Sequence, residues 1–296
     1  MGGSCCGVQS KLEWEGFEMK LSPRELEMFG RSALLIHRPL AFAVLRTIIL
    51  CFWITLLMLD LTDEIMVNAG PWYLIYISVW TAYVELLFFV FACVTTWKTG
   101  VGTIDFKALN DSTKATPPWL QRITWTLYNI SFPGSAFVFV LYWLLVYKGS
   151  PQTIHNITLH GTNFALMLVD SFLSNIPFRL AHMYQFISYG VVYAILLIIQ
   201  AYANVDNGPR DGTLAYKVID LKRNPGFAYP FLVVIALILM PMFSLIVWGI
   251  KRSMIKLQKA CGLEDPYEDT MRVMGSAGFA GSENKSPGSS FWVDKL

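Results

Sequence analysis

The chain has 296 residues, of which 54% are hydrophobic and only 15% charged, with a formal net charge of +2. A water-soluble domain carries roughly 25% charged residues, so one soluble core cannot hide this much apolar surface, and the small net charge excludes nucleic acid as a partner. The composition predicts an all-α polytopic membrane protein, a six-transmembrane-helix bundle dissolved in lipid.

Residues 1–38 read as a cytosolic N-terminal segment. They hold Glu13, Glu15, Glu18, Glu25 and Glu27 but no apolar stretch of signal-peptide length, so the first apolar run is expected to act as signal and anchor together. The chain opens Met1-Gly2-Gly3-Ser4-Cys5-Cys6. Gly2 is the acceptor position for myristoylation, and Cys5 and Cys6 are candidate palmitoylation sites, although Cys6 stands where the usual pattern has Ser or Thr. The alternative is a flexible start with two free thiols.

Six apolar runs follow, over about Leu40–Leu61, Trp72–Trp97, Ile123–Tyr147, Ile157–Ile176, Leu180–Ala203 and Tyr229–Ile250. Each approaches the roughly 20 residues that cross the hydrocarbon as helix. The fourth is the least apolar, because it contains His160, Asn163, Asp170 and Asn175. Period-two alternation is absent, which disfavours a β-barrel. Residues 39–252 form the membrane domain on this reading, and residues 253–296, rich in Gly, Ser and charge, a flexible cytosolic tail.

Orientation follows from Lys and Arg near the span ends. With both termini in the cytosol, that side collects Arg31, Arg38, Lys98, Lys107, Lys114, Arg122, Arg179, Lys251, Arg252, Lys256 and Lys259. The last outer loop opposes the trend with Arg210, Lys217, Lys222 and Arg223. Asn156-Ile157-Thr158 is a glycosylation sequon on the outer side, close to the membrane. The membrane expected is the plasma membrane or the endoplasmic reticulum.

Polar groups inside spans are costly and mark function or pairing. Thr81 and Glu85 share a face of the second span by their spacing. The third holds Asn129, followed by Pro133 and Gly134, which predict a kink. In the fourth, His160, Asn163 and Asp170 lie on roughly one stripe. Each also has a structural reading. Thr in a membrane helix usually bonds its own backbone or packs an interface. Asp170 and Glu85 are expected to pair with another polar residue, Arg46 to snorkel or pair with a carboxylate, and His182 to be structural. There is no CxxC pair, and neither a metal nor a cofactor is expected.

The run Leu159-His160-Gly161-Thr162-Asn163, with Met167 and Asp170, resembles the corresponding helix of the rolling stone family. So do Leu141-Tyr142-Trp143 and Val79-Trp80-Thr81. The likeness runs from about Pro39 to Ile250. That family, associated with myoblast fusion, is in turn similar to the androgen-induced membrane proteins. Those are six-span hydrolases of fatty acid esters of hydroxy fatty acids, with a Thr nucleophile and a His base. The resemblance therefore implies Thr81 as nucleophile and His160 as base, acting on a lipid ester that reaches them from the bilayer. Asn129 and Asn163 have the right side chains for oxyanion donors, and Glu85 could assist. Asp170 stands too far along its helix from His160 for direct contact. The alternative is a non-enzymatic multi-pass protein of adhesion, cell fusion or scaffolding; a transporter is a third reading. Membrane lipids are the expected surroundings, and no protein partner is specified.

Overall fold

The computed structural model describes residues 38–63, 74–101, 119–147, 154–203 and 219–260, together with single positions 29, 30, 32, 34, 35, 149 and 216. Gly2, Cys5 and Cys6 lie outside the described residues, as does all of the tail beyond residue 260. Among the described residues every regular element is helical, apart from one isolated antiparallel bridge between Ser32 and Ser174.

Helix α1 is Pro39–Asp63. Helix α2 is Ile77–Thr95 and continues as a π-helical turn, Thr96–Val101. Helix α3 is Trp119–Leu141, continuing as the π turn Tyr142–Val146. Helix α4 covers residues 154–173 and is interrupted by a π turn at Thr158–Thr162. Helix α5 is Met183–Tyr202, entered through a 3₁₀ turn at Leu180–His182. Helix α6 runs from Pro225 to Ala260 with a π turn at Ile235–Leu239. Residues 253–260, assigned to the tail from sequence, thus belong to α6. Its C-terminal end is amphipathic, with Lys251 and Gln258 buried and Lys256 and Lys259 exposed, and that pattern sustains a helix beyond the apolar run.

Among the described residues five helices are long and apolar enough to cross a membrane: α1, α2, α3, α5 and α6. Helix α4 is the exception, because its polar residues dilute its apolarity. Those residues face protein: Asn163, Asp170 and Ser171 are all buried.

Helix α3 occupies the centre and packs against α2, α4, α5 and α6, while α1 packs on α2. Every side chain from Ser131 to Val138 is buried. Small residues there let neighbouring backbones come close, the usual means of helix association in lipid. Pro133 lies inside α3 without ending it. The core is aromatic, built on Trp53, Phe88, Phe89, Trp125, Tyr128 and Phe132.

Arg46 carries the main polar link. Its Nε and Nη2 donate to Asp170 Oδ1 and Oδ2, both at 2.8 Å. Its Nη1 donates to Thr96 Oγ1 at 2.8 Å, and more weakly to the carbonyls of Phe29 at 3.3 Å and Ala92 at 3.4 Å. Of the two expectations for Arg46, pairing with a carboxylate is the one realised.

The C-terminal end of α4 is buried, yet its carbonyls are satisfied by donors from other elements. Lys251 Nζ donates to Ser171 O at 2.6 Å and Ser174 O at 2.8 Å. Gln258 Nε2 reaches Phe172 O at 2.6 Å, and Ser32 Oγ reaches Leu173 O at 2.8 Å. A cation at a helix C-terminus also suits the helix dipole. Lys251→Met keeps the length and removes the donors. It should cost about 1–3 kcal/mol of stability, read as a lower midpoint of thermal unfolding in detergent. An unchanged midpoint would show that these carbonyls find other partners.

Candidate functional site

Thr81 sits where α2, α3 and α5 meet. Its Oγ1 donates to Ile77 O at 2.8 Å and lies 3.0 Å from Tyr189 Oη of α5. The first bond is the usual i−4 back-bond of a helical threonine; Thr47, Thr55 and Thr95 make the same one. The second joins Thr81 to α5. Since the Thr81 proton is directed at Ile77 O, Tyr189 is the donor of the hydroxyl pair. Gly134 of α3 abuts the same side chain: a Cβ built there would lie 3.3 Å from Thr81 Cγ2 and 4.0 Å from Oγ1. Glycine at that position is what lets α2 and α3 approach at this level.

His160 is presented by the π turn of α4. Its ring stacks on Tyr142, with centroids 3.6 Å apart and planes 8° from parallel. Tyr142 itself begins the π turn of α3. Two π turns thus bring these rings face to face, and such turns recur at functional sites because they re-aim side chains.

The Arg46 link sets the register of α2 against α4. Arg46 ties Asp170 to the Ala92–Thr96 turn. Counting back along each helix, Thr81 lies about 16–23 Å above the Ala92–Thr96 turn and His160 about 15 Å above Asp170. Helix α2 also packs on the π turn that carries His160. The two side chains share no hydrogen bond, however. Thr81 turns to Tyr189, whereas His160 lies against Tyr142, whose backbone is about 12 Å along α3 from Gly134.

The other candidates are dispersed. Asn129 Nδ2 donates to Gln185 Oε1 at 3.0 Å and approaches His182 Nδ1 at 3.3 Å, so it joins α3 to α5 rather than facing Thr81. His182 is buried edge-on to Trp125, with centroids 4.4 Å apart, in keeping with a structural role. Asp170 is committed to Arg46 and does not orient His160. Asn156 lies in the first turn of α4, not in a loop. Asn163 is fully buried; its Oδ1 accepts from the Phe164 N–H, while its Nδ2 has no partner among the described residues. Glu85 is also fully buried, and neither carboxylate oxygen has a hydrogen-bond partner.

At the N-terminal end of α2 a second tyrosine cluster forms. The Ile77 N–H donates to Tyr216 Oη at 3.2 Å, and Tyr193 Oη donates to Ile75 O at 2.7 Å. Burial pushes the Tyr216 phenol up to about 12, so it stays protonated at neutral pH.

Sequence reasoning missed Tyr189, Tyr142 and Ser131. Tyrosine and serine are common in membrane helices, and only the packing singles these out. Among the described residues no group of His, Cys, Asp and Glu could hold a metal ion. Comparison of the chain with family models, with curated proteins and with solved structures gives no match.

Proposed function

We propose that the protein is an intramembrane hydrolase of lipid esters, such as fatty acid esters of hydroxy fatty acids, with Thr81 as nucleophile and His160 as base. The observation that carries this reading is that the helix bearing Thr81 packs on the π turn bearing His160. The likeness of His160-Gly161-Thr162-Asn163 to the rolling stone family supports it. On this reading helix α4 is the fourth of six spans. Both termini are cytosolic, in the plasma membrane or the endoplasmic reticulum, and the site lies in the outer half of the bilayer.

The chemistry needs a proton acceptor, because a threonine hydroxyl is a weak nucleophile until its proton is drawn off. Neutral imidazole has the affinity to take it near neutral pH. Catalytic hydrogen bonds are often long before substrate binds. The reading therefore requires the imidazole to leave its stack on Tyr142 and reach Oγ1 when an ester occupies the seam. The acyl group passes to Thr81, and the imidazolium returns its proton to the departing alcohol.

The test is hydrolysis of a branched fatty acid ester by purified protein in lipid nanodiscs. Thr81→Ala and His160→Ala should each lower the rate by about 100-fold or more. Wild-type rates in either variant would end the proposal, as would an inactive wild type.

A second reading rests on a different observation. The Thr81 hydroxyl already has two partners, Ile77 O and Tyr189 Oη. As a purely structural contact joining α2 to α5, it would suit a non-enzymatic protein of adhesion, cell fusion or scaffolding. Full stability loss in Thr81→Ala with no wild-type hydrolysis would favour that reading.

A further inference from the structure

Hydrolysis through an acyl-threonine has two halves, and the second needs water inside the bilayer. The structure offers a place for it one helical turn from Thr81. Glu85 follows Thr81 by four residues, so the two side chains share a face of α2. Glu85 is 0% exposed and both of its carboxylate oxygens are unpaired. Counted from the Arg46 link, Asn163 on α4 lies about 10 Å above Asp170, and Glu85 on α2 about 10–17 Å above the Ala92–Thr96 turn. Asn163 occupies the same stripe of α4 as Met167 and Asp170, the stripe turned toward that link, and all three are fully buried. The neighbouring stretch of α3 contributes Ser131, also 0% exposed, whose Oγ has no partner.

These groups are chemically complementary. Glu85 supplies acceptors only, Asn163 Nδ2 supplies donors, and Ser131 supplies either. Buried polar groups are seldom left unsatisfied, and polar seams of this kind bind water that makes about three hydrogen bonds. Asp170 is not available for the purpose, because Arg46 holds both of its oxygens.

We propose that Glu85 holds and deprotonates the water that releases the acyl group from Thr81, with Asn163 and Ser131 as the other ligands of that water. This rests on the hydrolase reading above and assigns its second half to a residue other than His160. In the step, the water oxygen forms a bond to the acyl carbon and gives one proton to Glu85. The bond from the acyl carbon to Thr81 Oγ1 breaks. The proton on Glu85 passes to Oγ1, which restores the threonine and frees the fatty acid.

The experiment treats protein in nanodiscs with p-nitrophenyl butyrate and follows p-nitrophenol release, with mass spectrometry of the peptide carrying Thr81. Glu85→Gln keeps the shape and removes the base. It should release one burst of p-nitrophenol, accumulate butyryl-Thr81, and then turn over about 100-fold more slowly than wild type. Retained acylation is itself proof that the variant is folded. Wild-type turnover in Glu85→Gln overturns the proposal. So does loss of the burst in a variant that unfolds like wild type, since Glu85 would then serve acylation. Should Glu85→Gln fail to fold, Ser131→Ala carries the same test: a normal burst with slower turnover supports the proposal, and unchanged kinetics overturn it. A wild type that shows neither burst nor turnover removes the hydrolase reading, a result distinct from any of these.

Discussion

Asp170→Leu, or Arg46→Met, alone should lower the unfolding free energy by about 3–5 kcal/mol, whereas the two together should recover most of that loss. The reason is burial. Arg46 is 1% exposed and Asp170 0%, and their two hydrogen bonds of 2.8 Å form a bidentate fork. Removing either partner leaves the other charge uncompensated in a medium of low polarity. Removing both leaves an apolar seam and the weaker bonds of Thr96 to its own helix. Denaturant unfolding in micelles, followed by tryptophan fluorescence, gives the four corners of the double-mutant cycle. The buried Trp53 and Trp125 report on the core. Strictly additive losses would show that the two side chains do not depend on each other.

Thr81→Val should abolish ester hydrolysis, by about 100-fold to 10,000-fold, while leaving stability within about 1 kcal/mol of wild type. Valine keeps the branched shape that fills the space beside Gly134 and loses only the hydroxyl. One of the two lost bonds runs to Ile77 O of the same helix, and back-bonds of that kind add little to stability. The other frees Tyr189 Oη, which would cost more if the phenol were left without any acceptor. Thr81→Ser should restore activity, because serine presents the same oxygen. A Val variant that is both inactive and strongly destabilised, with a Ser variant equally inactive, would mean that Thr81 is a packing residue.

Much of the architecture was legible in the sequence, because the cost of unpaired backbone in lipid makes long apolar runs helical. Helix α1 departs from its expected limits by a residue or two, and the 3₁₀ turn that leads into α5 starts at the expected Leu180. The partner of Arg46 was expected to be a carboxylate, but nothing in the sequence selected Asp170 over Glu85. That choice is made by the crossing of α1, α2 and α4. The π turns were not legible either. A π turn adds a residue without changing hydropathy, so the face on which His160 or Tyr142 emerges cannot be obtained by counting at 3.6 residues per turn. The positions of Thr81 and His160 along their helices follow from rise alone. Their hydrogen-bond partners depend on rotation, and there the two diverge toward Tyr189 and Tyr142. Residues 253–260 lie past the apolar run and were placed in the tail, yet Lys256 and Lys259 line one side of a helix whose other side is pinned to α4 by Lys251 and Gln258.

The Arg46–Asp170 fork also has a bearing on how the chain is made. The two residues are 124 positions apart. At a synthesis rate of about 5–20 residues per second, Asp170 emerges about 6–25 s after Arg46. For that interval the first helix waits with a guanidinium and no counter-charge. It must stay near the interface, be sheltered by the insertion machinery, or borrow a lipid phosphate. Final seating of the earliest helix is therefore a late event in biogenesis, and a delay between the two halves of the chain would lengthen the exposure of its charge.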